Sequence, residues 1–268
     1  RLLPCIPAAA GVVYTTTGFS AALVLVAMAG IMLAVVAIGL PDAPRATIEP
    51  RTSAGGLRGP ISALVGSSIS ALEIAPSLRP ILFVIALAFL GPAAGSTFLG
   101  LRLLQLGGGP VDVALVSAIS AAVQVPAMLA AGFTATRFGL RALFVASASI
   151  SAIAVLSWAL TDSVNAILIT IPLVGVAYSG MFVSGVLTMR SLLPAELQGT
   201  GQSLFVAVSV GVAGMVVNAA GGLLYQSVGY TGLYALCGSL GLVAAVLAWR
   251  AYSGAGAHAG DHAGSPSE

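Results

Sequence analysis

The chain has 268 residues, of which 58% are hydrophobic and 7% charged, whereas soluble domains carry about 25% charged residues. With a mean hydropathy of +1.06, it lacks the polar surface that a water-soluble fold of this length requires, so it belongs in a membrane. Its ten basic side chains are all Arg and its net charge is +2, a balance that points to coding bias rather than to a nucleic-acid partner. Cys5 and Cys237 both lie in apolar runs and read as small hydrophobes, not as a disulfide or metal framework. The first residue is Arg1, and no basic n-region, short apolar core and cleavage site follow it. No signal peptide is expected, and the chain reads as truncated at its start.

A helix needs about 20 apolar residues to cross the hydrocarbon layer. Segments that qualify are 19–40, 81–105, 111–133, 142–160, 164–189, 203–225 and 232–249, and residues 2–14 look like the tail of one more. Their Ala, Leu, Val and Gly content without alternation favours helices over barrel strands. The expected fold is therefore an all-α, polytopic membrane helix bundle. Between the first complete span and the rest lies loop 41–80, rich in Pro, Gly and Ser and holding three of the eight acidic residues; it is the expected domain boundary.

Basic residues are enriched in cytoplasmic loops. Arg45, Arg51, Arg58, Arg79, Arg137, Arg141, Arg190 and Arg250 fall on the side of loop 41–80, and only Arg102 on the other. That loop and the C-terminus are thus expected in the cytoplasm, with the protein in the plasma membrane, the inner membrane of a bacterial cell. Trp158 and Trp249 are then expected at opposite membrane surfaces as interfacial aromatics.

GVVYTTTGF from Gly11 to Phe19 and GLLYQSVGY from Gly222 to Tyr230 share the spacing G-x-x-Y-x-x-x-G-[FY], 211 positions apart. Read as an internal repeat, each copy closes a six-helix unit. Residues 1–40 are then the end of an N-terminal bundle (part of helix five, and helix six), 41–80 a central cytoplasmic loop, 81–250 a C-terminal six-helix bundle (helices seven to twelve), and 251–268 a disordered cytoplasmic tail.

On these features the sequence resembles the major facilitator superfamily, transporters of twelve helices in two bundles. GFTATRFGLR, from Gly132 to Arg141, is similar to the family's G-x-x-x-D-R-x-G-x-R turn between helices eight and nine. LPAELQGTGQ, from Leu193 to Gln202, is similar to its P-x-x-x-R-G-T-x-Q start of helix eleven. Thr136 stands where the family usually has Asp and Gln198 where it often has Arg, so a cytoplasmic lock between helices is expected to be weaker here. FLGLRLLQLGG and VQVPAML look closest to sugar and nucleoside proton-symporter permeases. The resemblance implies a secondary active transporter of a small solute, working by symport or antiport through alternating access. Its expected partners are the lipid bilayer, a small-molecule substrate and a coupling proton or other ion, with no cofactor and no nucleic acid, and a monomer at full length.

Polar residues inside spans mark the expected site. Ser117, Ser120 and Gln124 share a face of helix eight, with Pro126 interrupting the helix beyond them. Gln124 falls near the midplane, where it either touches substrate or makes a structural inter-helix bond. In helix eleven Gly211, Gly214, Asn218 and Gly222 share a face, for tight packing or for ligand binding. Helix ten presents Gly175, Tyr178, Phe182 and Gly185 below Pro172, with Tyr178 either a core residue or a stacking contact for solute. Helix seven carries Gly91-Pro92 and then Ser96-Thr97, a static kink or a hinge. At the turn of helices eight and nine, Gly139 suits a positive φ, and Gly132, Arg137 and Arg141 either gate or simply anchor; Glu196 lies in an inner loop. Arg1, mapped by the repeat onto the depth of Val212, is a candidate for binding solute inside the membrane.

No Asp or Glu lies deep in a complete span, so a proton-coupling carboxylate is expected elsewhere. Asp112 and Asp162 sit at the outer mouths, and Arg102 either snorkels or meets Asp112. His258, Asp261 and His262 have no fold to fix them as metal ligands. The competing readings are a non-transporting truncated remnant and a membrane-embedded enzyme; both His residues fall in the tail, which argues against an enzyme.

Overall fold

The computed structural model describes residues 72–262, with side chains through Tyr252. Five α-helices follow in order: α1 (Leu78–Gln105), α2 (Pro110–Leu160), α3 (Val164–Leu192), α4 (Gln198–Val206) and α5 (Ala213–His262). A 3-10 turn, Ala195–Leu197, precedes α4, and a π turn, Ala207–Val212, joins α4 to α5. There is no strand among the described residues. The expected helices five and six, Arg1, the first copy of the repeat and nearly all of the expected loop 41–80 lie outside the described residues.

At 51 residues, a straight α2 would rise about 77 Å, more than twice the ~30 Å hydrocarbon layer. Gly139 divides it, at φ 84 and ψ 159. Gly229 divides α5 in the same way, at φ 72 and ψ −175. The arms on either side of each glycine turn back along one another, so the loops expected at 134–141 and 226–231 reduce to single-residue reversals inside helix. The remaining connection of this kind, between α1 and α2, is capped at both ends. Gly107 and Gly108 donate to Leu104 O (3.1 Å) and Leu103 O (2.9 Å), closing α1, and the N–H of Gly109 donates to Asp112 Oδ2 at 2.7 Å, opening α2.

Side-chain pairings fix the directions. Phe89 meets Phe205 (centroids 6.1 Å) and Phe98 stacks on Tyr225 (5.5 Å), so α1 runs parallel to α4 and the first arm of α5. Phe144 stacks on Tyr252 (5.3 Å) and Trp158 meets Tyr234 (5.7 Å), so the second arms of α2 and α5 run antiparallel. Ser179 donates to Gln124 O at 3.2 Å, and Trp158 Nε1 to Thr170 Oγ1 at 2.8 Å, tying α3 to both arms of α2. The described chain thus passes back and forth between two ends: one holds Gln105, Thr161 and Tyr230, the other Gly139, Leu193 and Tyr252. The expected spans from 81 to 249 all fall within these passages. Leu129, Leu160, Ile169 and Leu223 are 70–85% exposed, which suits a lipid-facing surface.

Helix is described past Arg250 to His262, and the rest of the expected tail lies outside the described residues. Three expectations are corrected. Pro126 does not interrupt its helix, and neither Pro92 nor Pro172 brings non-helical backbone with it; in a bundle, neighbouring groups satisfy the freed carbonyls. Trp158 is no surface aromatic: it is 1% exposed, covering Gly95 so closely that a Cβ there would lie 2.8 Å from its ring. Arg102 does not pair with Asp112, which is engaged by the N–H of Gly109. Instead it is buried and donates through Nη2 to Asp162 Oδ1 (2.7 Å) and Thr161 O (2.9 Å), with its Cζ 3.3 Å from the Tyr230 ring centroid.

Candidate functional site

Between α1, the first arm of α2, α3 and the π turn with the start of α5 lies a cavity of about 600 Å³. It is lined by Ser96 and Thr97 from α1, Ser117, Ser120 and Gln124 from α2, Tyr178 from α3, and Asn218 from α5. These are all of the candidate substrate-binding residues within the described chain; Arg1 lies outside it. Among the described residues, no Asp, Glu, Arg or His lines the cavity.

The hydrogen-bond state of each wall determines what it offers. Ser96 donates to Ala93 O (2.9 Å), Ser117 to Val113 O (3.4 Å) and Ser209 to Phe205 O (2.7 Å). Each of these hydroxyls spends its hydrogen on its own helix and presents lone pairs to the cavity. Gln124 Nε2 donates to Ser120 Oγ at 2.9 Å, leaving its carbonyl oxygen and a second amide hydrogen. Thr97, Tyr178 and Asn218 make no side-chain hydrogen bond to another described residue. The cavity therefore combines acceptors and donors without a net charge.

One wall is aromatic. The Tyr178 ring meets Phe89 edge-on (5.6 Å, 71°) and stacks with Phe182 (6.0 Å, 23°), which fixes the direction of its hydroxyl. Phe89, Trp158 and Ser209 also line the cavity, and none was a site candidate from sequence. Ser209 faces it because in a π turn residues five apart share a face, which brings Ser209 alongside Gly214. A strict α-helical reading of this segment sets them apart.

The candidate gating residues are dispersed. Gly91 is buried, and a Cβ there would stand 3.2 Å from Val155 Cγ2. Pro92 lines the cavity, Pro126 is exposed on α2 and Pro172 is half-buried on α3. Gly132, Arg137, Gly139, Arg141 and Glu196 gather toward the opposite end from Arg102. Gly139 makes the reversal, as its expected positive φ requires, while Arg137 and Glu196 are exposed. Arg141 places its Cζ 3.5 Å from the Trp249 ring centroid.

A family model of the Major Facilitator Superfamily matches residues 81–266. The chain belongs to the Major Facilitator Superfamily. Members of the superfamily are transporters, and this bundle of long apolar helices is of that kind. A comparison with curated proteins gives no match. In this superfamily member the cavity is a concave, mixed polar and aromatic space within the size range of small-molecule pockets.

Tight packing supports the cavity wall, and its effect is measurable. Gly95→Leu should push Trp158 off Thr170 and into the cavity, because the ring already abuts the α-carbon side of Gly95. The expected readout is a shift in tryptophan fluorescence with retained helicity; unchanged emission would show that Trp158 is held elsewhere.

Proposed function

We propose that this superfamily member carries an uncharged, hydrogen-bonding small solute across the plasma membrane by alternating access, with the Gln124–Tyr178–Asn218 cavity as its binding wall. The observation that carries this reading is the lining itself: hydroxyls, two carboxamides and an aromatic face, with no carboxylate, guanidinium or imidazole among the described residues to balance a charged solute. An ionic solute would be left unpaired in a low-dielectric site, at high cost. A solute with several hydroxyl or amide groups and a flat or apolar face satisfies it, which is compatible with the sugar and nucleoside likeness of the sequence. Since no carboxylate lines the cavity, coupling to a proton or other ion is assigned to residues outside the described bundle.

The orientation proposed places the Gly139 end in the cytoplasm, because Arg79, Arg137, Arg141, Arg190 and Arg250 lie toward that end and Arg102 toward the other. With Cys5 and Cys237 replaced by Ala, single cysteines at Thr136 and Ser227 should react with an impermeant maleimide from opposite faces of oriented vesicles. Reaction from one face would reject this topology.

The solute class is tested by ligand-induced thermal shift on the purified protein, using hexoses, nucleosides and polyols beside charged amino acids and nucleotides. At least one uncharged solute should raise the melting temperature. Gln124→Leu or Asn218→Leu should weaken that solute by roughly fivefold to tenfold, about 1 kcal/mol per lost hydrogen bond. Response to charged solutes alone, or variants indistinguishable from the parent, would overturn the reading.

A further inference from the structure

On the outer surface of the bundle, the second arms of α2 and α5 leave a groove of about 560 Å³. Its walls are apolar: Val145 from α2 faces Leu242 and Val246 from α5. Val246 is 63% exposed and Trp249, at the head of the groove, 55%. Each wall ends in a cation at the same level. Arg250 lines the groove directly. Arg141 stands one turn before Val145 on the same helix face, stacked on Trp249 with its Nε buried and without a hydrogen-bond partner.

No described residue accepts a hydrogen bond from the guanidinium of Arg141 or Arg250. The described carboxylates at this end, Glu73 and Glu196, are exposed, line no part of the groove and pair with neither cation. Two guanidiniums over a largely apolar gutter, with no described carboxylate to neutralise them, suit an anion joined to a hydrocarbon chain.

We propose that this groove binds one anionic glycerophospholipid, with its phosphodiester between Arg141 and Arg250 and an acyl chain along Val145, Leu242 and Val246. Guanidiniums suit phosphate through paired N–H donors, and basic pockets between membrane helices bind anionic head groups. The stacking of Arg141 on Trp249 holds the first guanidinium in place before lipid arrives. A zwitterionic head group would bring its own ammonium into a site that offers it no described carboxylate, so the site distinguishes net charge and not merely phosphate. This assignment is independent of the solute cavity, which opens elsewhere on the bundle.

The test is native mass spectrometry of the detergent-purified protein titrated separately with phosphatidylglycerol, cardiolipin and phosphatidylcholine. One molecule of anionic lipid should be retained in preference to phosphatidylcholine by about tenfold or more. Retention of cardiolipin but not phosphatidylglycerol, or the reverse, identifies the source of the phosphodiester. Arg250→Gln, at an exposed residue without a described protein partner, should remove most of the preference, and Arg141→Gln with Arg250→Gln all of it. Arg190→Gln, at the same end but outside the groove, should leave it intact, and Val246→Trp should block binding sterically with both cations present. Equal retention of anionic and zwitterionic lipid by the parent, or unchanged retention in both Arg250→Gln and Val246→Trp, would overturn the proposal.

Discussion

Gly229→Val and Gly139→Val should each lower the thermal stability of the solubilised protein sharply, by more than almost any other single change on the bundle surface. Both glycines sit at positive φ with extended ψ, 72° and −175° for Gly229, 84° and 159° for Gly139. Essentially only glycine occupies that region, and a residue forced into it costs about 1–3 kcal/mol, before the further crowding of a branched Cβ. Nothing lies within 4 Å of a Cβ at either position, so the penalty is purely one of backbone. Each reversal also joins two membrane passages, so relieving the strain would displace a whole arm. Gly222→Ala is the control: its Cβ also meets nothing within 4 Å and its φ is not positive, so it should be neutral or stabilising by up to about 1 kcal/mol. Melting curves followed by circular dichroism should separate the three, and equal midpoints for Gly229→Val and Gly222→Ala would contradict the reversal geometry.

Asp162→Ala should also destabilise the bundle, and adding Arg102→Met should recover part of the loss. Arg102 is 4% exposed and ties α1 to the start of α3 and to the second arm of α5. The Tyr230 hydroxyl donates to the same Asp162 oxygen at 3.1 Å. The carboxylate is 80% exposed, so the Coulombic gain of the pair is small in itself. The larger cost comes from the other side: without Asp162, a buried guanidinium keeps only Thr161 O and the Tyr230 ring. About 1–3 kcal/mol is expected for a charged group so deprived. Met fills a similar volume without charge, which is why replacing both partners should cost less than replacing the acid alone. A double-mutant cycle on melting temperature reads this directly; strict additivity would show that the pair is decorative.

Much of the bundle was legible because apolar span length is a coarse signal that the membrane enforces. The polar face of Ser117, Ser120 and Gln124 could be read from helical spacing alone, and Gly139 from its place in a tight turn. Other features needed three dimensions. Gly229 stood inside the repeated phrase, yet its sequence neighbours do not distinguish a chain reversal from a packing glycine. Its companions Tyr225 and Tyr230 prove to hold the same end, the first by donating to Gln105 Oε1 at 2.7 Å, the second through Arg102. Ser209 was hidden by the π turn, which changes the residue spacing that shares a face. Trp158 was misplaced because proximity to a span end says nothing about whether the side chain turns toward lipid or toward its neighbours. Asp112, across the hairpin, was the expected partner of Arg102, but its carboxylate accepts from the N–H of Gly109 and Asp162 takes the guanidinium.

The most direct test of the account is uptake into vesicles reconstituted with the protein, using the uncharged solute found by thermal shift. Uptake should saturate, be competed by unlabelled solute and not by charged analogues, and fall at least tenfold in the Gln124→Leu, Asn218→Leu double variant, as two lost hydrogen bonds of about 1 kcal/mol each require. Saturable uptake of that solute at the parent rate in the double variant, with the variant inserted and helical, would contradict the assignment of this cavity as the transport site.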